Sequence, residues 1–226
     1  MSLPMDPPRS PGGSGADPRL RRAYEAPGAA GAYARRRWLR ARRTHRAEER
    51  ILRAFLERVG RLERVLDVPC GAGRWLPLLA ATGARVVGAD LAGAMLREVP
   101  PETGARLLQA SARRLPFPDR SFDLVLCFRL LHHFEEAGDR RAVLQELARV
   151  CRGRVVLSYF DAASVQAWRH RLRRRRRARF PLPRRILRAE LASAGLVEEA
   201  RRGVAPGWSE QVVLLLRRAG AGEAAA

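Results

Sequence analysis

Lysine and asparagine are absent from this 226-residue chain, and all 44 of its basic residues are arginine. With Ala, Gly, Arg and Pro dominating the rest, those absences reflect GC-rich codon usage as much as chemistry. Arginine count alone therefore carries little functional argument. Cysteine is scarce as well: Cys70, Cys127 and Cys151 are odd in number and lack metal-ligand spacing, which argues against a disulfide framework or a zinc site and suits a reducing cytosol. Long hydrophobic runs are also missing. The late run from Val212 to Leu216 is far too short to span a bilayer, and the N-terminus has no charged segment leading into an apolar one. The expectation is a soluble cytoplasmic protein with no transmembrane segment.

What is present is enough apolar residue, 46%, to build the core of one domain. The formal net charge of +21 is unevenly spread: residues 1–60 carry 14 Arg against 6 acids, residues 61–157 carry 15 against 11, and residues 158–226 carry 15 against 6. A basic excess on the flanks draws nucleic acid, anionic lipid or acidic substrates, while the middle of the chain is nearly balanced.

Residues 1–32, rich in Pro, Gly and Ala and without periodicity, read as a disordered tail, and residues 219–226 as a second one. A single domain fills 33–218. From Tyr33 to Val59 the apolar residues Trp38, Ile51, Leu52, Phe55, Leu56 and Val59 fall at helical spacing, predicting one or two N-terminal helices within 33–60. Short apolar runs then alternate with helical stretches, the pattern of βαβ units. The strands are predicted at Val65–Val68, Arg85–Ala89, Ala105–Leu108, Phe122–Phe128 and Val155–Tyr159. Helices fall near Arg74–Ala81, Ala92–Glu98, Asp139–Cys151 and Arg184–Ala194. Leu196–Arg202 and Glu210–Arg217 read as a closing antiparallel pair. The expected fold is α/β: a Rossmann-like, doubly wound, mostly parallel seven-stranded sheet ending in an antiparallel hairpin, with N-terminal helices and a basic insertion at 160–182.

Val65-Leu66-Asp67-Val68-Pro69-Cys70-Gly71-Ala72-Gly73-Arg74 is an apolar strand with an acid near its end, running into a Gly-x-Gly turn and a helix. The glycines permit a sharp bend and close approach to a ligand, and a helix N-terminus offers free N–H groups. Asp90 ends the second strand, 17 residues beyond Gly73, where a carboxylate can accept both hydroxyls of a ribose. A nicotinamide-type dinucleotide fold fits poorly, because its third glycine would stand at Leu76.

The segments VLDVPCGAGR, VVGADLAGAML, LPFPDRSFDLVLCFRLLHHF and ELARV occur in order and together resemble the class I methyltransferases of the type 11 group, which includes ubiquinone and menaquinone methyltransferases. The resemblance covers roughly residues 50–160. It implies S-adenosylmethionine as cofactor, with Asp67, Gly71 and Gly73 around its methionine end, Asp90 on the ribose, Leu91 against adenine, Ser111 and Ala112 at the adenine edge, and the backbone of Arg129 lining the pocket. Two positions depart from the family pattern. Pro69 replaces a glycine and removes an N–H donor, and Ser111 stands where an Asp is frequent.

Displacement at a sulfonium needs positioning and desolvation more than a fixed catalytic group. His132 and His133 are candidate bases, though on a helix adjacent residues point about 100° apart, so that at most one faces the cleft. Arg129 is a candidate clamp for an anionic acceptor, or a surface residue paired with Glu135 or Glu136. No carboxylate cluster points to a metal. The run from Arg169 through Arg173–Arg177 to Arg179, with Trp168, Leu172 and Phe180 as anchors, reads either as a cap on the acceptor side that binds an anionic partner or touches a membrane surface, or as a solvated face. The function expected is metal-independent methyl transfer to a small or lipid-linked acceptor; an RNA acceptor read by the Arg-rich flanks, or a non-catalytic cofactor-binding scaffold, stands as the alternative.

Overall fold

A computed structural model describes residues 42–167, 180–205 and 208–220. The N-terminal tail, the helix expected upstream of residue 42, the arginine run with Trp168 and Leu172, and residues 221–226 lie outside the described residues.

Helix α1 (Arg42–Val59) buries Leu52, Phe55 and Leu56, which share one face at helical spacing. It closes at Gly60, whose φ of +79° suits a left-handed helix end and whose N–H returns to the Leu56 carbonyl. Strands β1 (Arg64–Asp67), β2 (Arg85–Asp90), β3 (Arg106–Gln109), β4 (Phe122–Cys127) and β5 (Cys151–Phe160) alternate with helices α2 (Leu76–Ala80), α3 (Gly93–Leu96) and α4 (Ala137–Val150); α5 (Arg184–Ser193) precedes β6 (Leu196–Gly203) and β7 (Gln211–Arg218). The seven strands lie in the order β3-β2-β1-β4-β5-β7-β6. β1 through β5 pair in parallel, while β7 runs antiparallel to both β5 and β6. The expected doubly wound sheet with a terminal hairpin is the one found.

Strand alternation divides the core into two layers. Val65, Leu124, Leu126, Val156, Val213 and Leu215 pack with Leu52, Phe55, Leu76 and Leu79 of α1 and α2. Leu66, Val125, Cys127, Val155, Leu157 and Leu214 pack with Val143, Leu144 and Leu147 of α4 and Leu187 and Leu191 of α5. Helices on both faces hide the parallel strands, which explains their near-continuous apolar sequence. Gly153 opposes an irregularity in β4, and a Cβ there would stand 2.2 Å from the Asp123 carbonyl oxygen. Only glycine tolerates that approach.

Several boundaries differ from the sequence expectation, and three have a clear local cause. The chain between Gly71 and Trp75 forms turns, so α2 begins at Leu76, with a proline in its first turn. α3 ends early, where the Glu98 and Val99 N–H groups switch to i−3 carbonyls and Pro100 forbids continuation. β5 starts at Cys151, directly after α4, with no intervening loop.

β1 has β2 on one side and β4 on the other, so the strand order reverses beside β1. In open α/β sheets ligands bind at the carboxyl ends of the strands at such a reversal. No helix among the described residues is long and apolar enough to cross a membrane.

Candidate functional site

The carboxyl ends of β1, β2 and β3 converge. Asp67 is the last residue of β1, has no exposed surface, and neither of its carboxylate oxygens has a hydrogen-bond partner. Burial, reinforced by the like charge of Asp90 and opposed by Arg74, holds its carboxyl well above the usual range. An orphaned buried acid is costly in isolation and is rational where a cationic or donor-bearing ligand sits.

The chain after β1 folds back over β2. The Cys70 N–H donates to the Ala89 carbonyl at 2.9 Å and the Gly71 N–H to Asp90 Oδ2 at 2.8 Å. Gly71 and Gly73 have φ of +56° and +77°, a region other residues enter at a cost. A Cβ on Gly73 would also meet Val99 Cγ1 at 2.8 Å. The second oxygen of Asp90 accepts the Ala92 N–H at 2.9 Å. Burial raises the Asp90 pKa, and these backbone donors pull against it. A carboxylate has about four lone-pair directions; with the Leu91 N–H acting on it as well as those of Gly71 and Ala92, Asp90 keeps about one for a hydroxyl.

Leu91 follows at the surface of the turn, its carbonyl accepting from Gln109 Nε2 at 2.9 Å. The Ala110 N–H donates to the Asp90 carbonyl, which sets Ser111 and Ala112 beside the end of β2. Ser111 Oγ accepts the Arg113 N–H at 3.3 Å, and Ala112 packs on the core. The residues expected around a nucleoside thus gather on three adjacent strand ends.

Across β1, the chain leaves β4 through Arg129, whose φ of +57° is left-handed. Its N–H donates to Ser158 Oγ at 2.7 Å, and its guanidinium binds Glu48 of α1 through Nε at 2.8 Å and Nη2 at 2.6 Å. Neither Glu135 nor Glu136 is the partner. Glu48, fully buried, also accepts from Arg74 and from Gln211 Nε2 at the start of β7. Beside it His45 stacks on Trp75 at 5.2 Å, and the Arg74 guanidinium lies 4.0 Å from the centre of the same ring. Sequence reasoning missed this group because its members are up to 163 positions apart. One faint signal existed, an acid at position 48 on the same helical stripe as Leu52 and Phe55.

His132 and His133 lie in a 3-10 turn, Leu131–His133, rather than on an α-helix. Their rings are 4.2 Å apart instead of splayed, and buried His132 stacks on Phe160 at 4.1 Å. The three thiols are free and buried; burial raises the pKa of each, that of Cys151 to about 11, so none is a ready nucleophile. Among the described residues no three His, Cys, Asp or Glu side chains group as a metal site.

Residues 66–158 match the family model described as a methyltransferase domain. Over that stretch, about two fifths of its length, the chain is similar to methyltransferase domains. It is 38% identical over 109 residues to a demethylmenaquinone methyltransferase of Clavibacter sepedonicus, covering 46% of this chain and 43% of that protein. It is 28% identical over 99 residues to a probable tRNA methyltransferase 9B of Homo sapiens, covering 44% of this chain and 21% of that one. The chain thus spans less than half the length of these relatives. Among solved structures, magnesium protoporphyrin IX methyltransferase from Synechocystis PCC 6803 with bound SAH superposes with a TM-score of 0.73 at 15% identity, covering 89% of this chain and 99% of that one. That likeness establishes the fold.

Proposed function

We propose that the chain is an S-adenosylmethionine-dependent methyltransferase acting without a metal on a small or lipid-linked acceptor. The observation that carries the cofactor is the pair of buried acids at the ends of β1 and β2, Asp67 with both oxygens unpartnered and Asp90 held by the Gly71 and Ala92 N–H groups. Two carboxylates beside a left-handed glycine turn suit a ligand that is cationic at one end and carries vicinal hydroxyls at the other. When bound, S-adenosylmethionine would supply an electrophilic methyl group on a positively charged sulfur, its C–S electron pair leaving with the sulfur as an acceptor nucleophile took the methyl.

The protein's part is placement. Asp90 orients the ribose, Asp67 compensates positive charge, Leu91, Ser111 and Ala112 flank the adenine, and the left-handed backbone at Arg129 lines the acceptor side. His132 and His133 are the candidate bases for an acceptor that loses a proton. Arg129, already bound to Glu48, shapes the wall instead of clamping the acceptor alone. The demethylmenaquinone methyltransferase relative supports a lipid-linked acceptor. The tRNA methyltransferase relative and the basic flanks support RNA as the second reading. The buried free thiols accord with a cytoplasmic setting.

Transfer of labelled methyl from S-adenosylmethionine to fractionated lipid, metabolite, RNA and protein pools tests the assignment. Label in the lipid or metabolite fraction, undiminished by excess chelator, is the expected result. Label confined to RNA selects the second reading, and a chelator-sensitive transfer overturns metal independence. Cofactor binding with no transfer to any pool would leave a binding scaffold.

A further inference from the structure

Arg74 directly follows Gly73, at the end of the turn that leaves Asp67 and β1 and closes through the Gly73 N–H on the Cys70 carbonyl, and its charge opposes the rise in that acid's pKa. An arginine beside a buried, unpartnered carboxylate ordinarily pairs with it, since a charge-assisted bond in a water-poor site outweighs the alternatives. Here it does not. Both Asp67 oxygens lack a partner, and the Arg74 guanidinium is drawn instead to Glu48, one turn before Leu52 on α1, while stacking on Trp75. Glu48 is fixed from two further directions, by Arg129 after β4 and by Gln211 of β7.

Resting on the cofactor reading above, we propose that Glu48 is a positioning residue that holds Arg74 away from Asp67 and so keeps the Asp67 carboxylate available for the cationic end of the cofactor. Removing the Glu48 charge has two consequences. Arg74 loses its partner and turns to the remaining acid, closing the site with an internal ion pair. Arg129 also loses the charge its Nε and Nη2 hold on Glu48, at the edge where a cation must arrive. The N-terminal helix, which lies outside the matched methyltransferase segment, thereby becomes part of the cofactor site without touching the cofactor.

The test separates this role from simple structural support. Glu190 forms a comparably buried ion pair with Arg140 between α4 and α5, anchored on the Phe134 and Glu135 carbonyls rather than on the Asp67–Asp90 turn. S-adenosylmethionine affinity is measured by calorimetry on wild type, Glu48→Gln, Glu190→Gln and the double variant Glu48→Gln/Arg74→Gln, with thermal melts for each. Glu48→Gln should weaken binding by about tenfold or more, Glu190→Gln should leave it within about twofold although it melts earlier, and the double variant should recover most of the loss, an interaction only coupled neighbours show. Recovery on removing a second residue has no explanation in a purely structural role. A folded Glu48→Gln with wild-type affinity, or a folded double variant that binds no better than the single one, overturns the proposal while leaving the cofactor assignment intact. If Glu48→Gln does not fold, the double variant decides: affinity near wild type supports the proposal and weak binding overturns it. Wild type that binds no S-adenosylmethionine removes the cofactor reading and this proposal with it.

Discussion

Asp67 and Asp90 stand on neighbouring strand ends, yet the protein treats them differently, and substitution should expose the difference. Asp90 is bonded through both oxygens to backbone donors, so Asp90→Ala removes a ribose acceptor and also releases the glycine turn. We predict a loss of S-adenosylmethionine affinity of at least about 1.5–3 kcal/mol, the range for a charge-assisted hydrogen bond, accompanied by a lower melting temperature. Calorimetry on folded protein showing unchanged affinity would remove Asp90 from the cofactor site. Asp67 has no such bonds, and its effect should be on pH dependence. Burial, then the Asp90 charge, raises its folded-state pKa against the opposing pull of Arg74. A folded state that keeps a proton the unfolded chain releases gains stability in acid. That gain is complete below the ordinary carboxylate pKa of about 3.9 and is lost as pH rises through the folded-state value. Asp67→Asn cannot titrate, so the melting temperature of the variant relative to wild type should climb as pH increases from about 4, while its affinity for the cationic cofactor falls. Asp90, raised in the same direction, is present in both proteins, so the difference reports Asp67 together with its coupling to Asp90. A difference in melting temperature that is flat with pH would show that the buried acid carries no ionisation penalty.

Between elements, long-range polar ties complement the apolar layers. Arg140 of α4 meets Glu190 of α5 through Nε at 3.1 Å and Nη2 at 2.7 Å and donates from Nη1 to the carbonyls of Phe134 and Glu135, with both side chains almost wholly buried. A desolvated pair of this kind adds little net stability but is costly to break, because the surviving charge is stranded. Glu190→Ala should therefore cost about 3–5 kcal/mol in urea unfolding, and Arg140→Leu with Glu190→Leu together much less than the two single changes summed. Strict additivity would mean that the pair is not coupled. This level of organisation is also where the sequence stops being readable. Strand alternation, the Gly-x-Gly turn and the acid ending β2 are local patterns, and the sheet, its hairpin and the positions of Asp67, Gly71, Gly73 and Asp90 follow from them. Helix ends blur wherever turns compete, as at Gly71–Trp75 and before Pro100. The Glu48 cluster and the Arg140–Glu190 pair have no local signature, because their partners meet only after the whole sheet is assembled. Arg129 illustrates the limit: nearby acids at 135 and 136 look like its partners, yet its left-handed backbone aims it at a residue 81 positions earlier.

For the molecule as a whole, the net charge of +21 sets which partners it attracts. The run Arg173–Arg177 lies in the segment between β5 and α5, and the described residues that bracket it are tied to the carboxyl edge of the sheet. The Gln166 N–H donates to the Trp208 carbonyl at 3.2 Å, the Phe180 N–H to the His132 carbonyl at 2.8 Å, and Asp161 bridges Leu182. The described residues on either side of the run, Gln166 and Phe180, thus lie beside Trp208 and His132 rather than beside Gly71, Gly73 and Asp90. Changing Arg173 through Arg177 to Gln should leave S-adenosylmethionine affinity within about twofold while weakening any anionic partner. If that partner is RNA, wild-type binding should fall steeply with salt through counterion release, with a slope of roughly 0.7 per phosphate contact on a single strand, and the variant should show a shallower slope. For an acceptor carried in an anionic lipid surface, binding of the wild type to vesicles rich in phosphatidylserine should exceed that of the variant, by about 1 kcal/mol for each arginine near the surface. With a small acceptor and no polyanion, KM should rise while neither RNA nor vesicles distinguish the two proteins. A variant equal to wild type in all of these measurements would assign the run to codon bias and leave the acceptor to be chosen by the buried walls of the cleft alone.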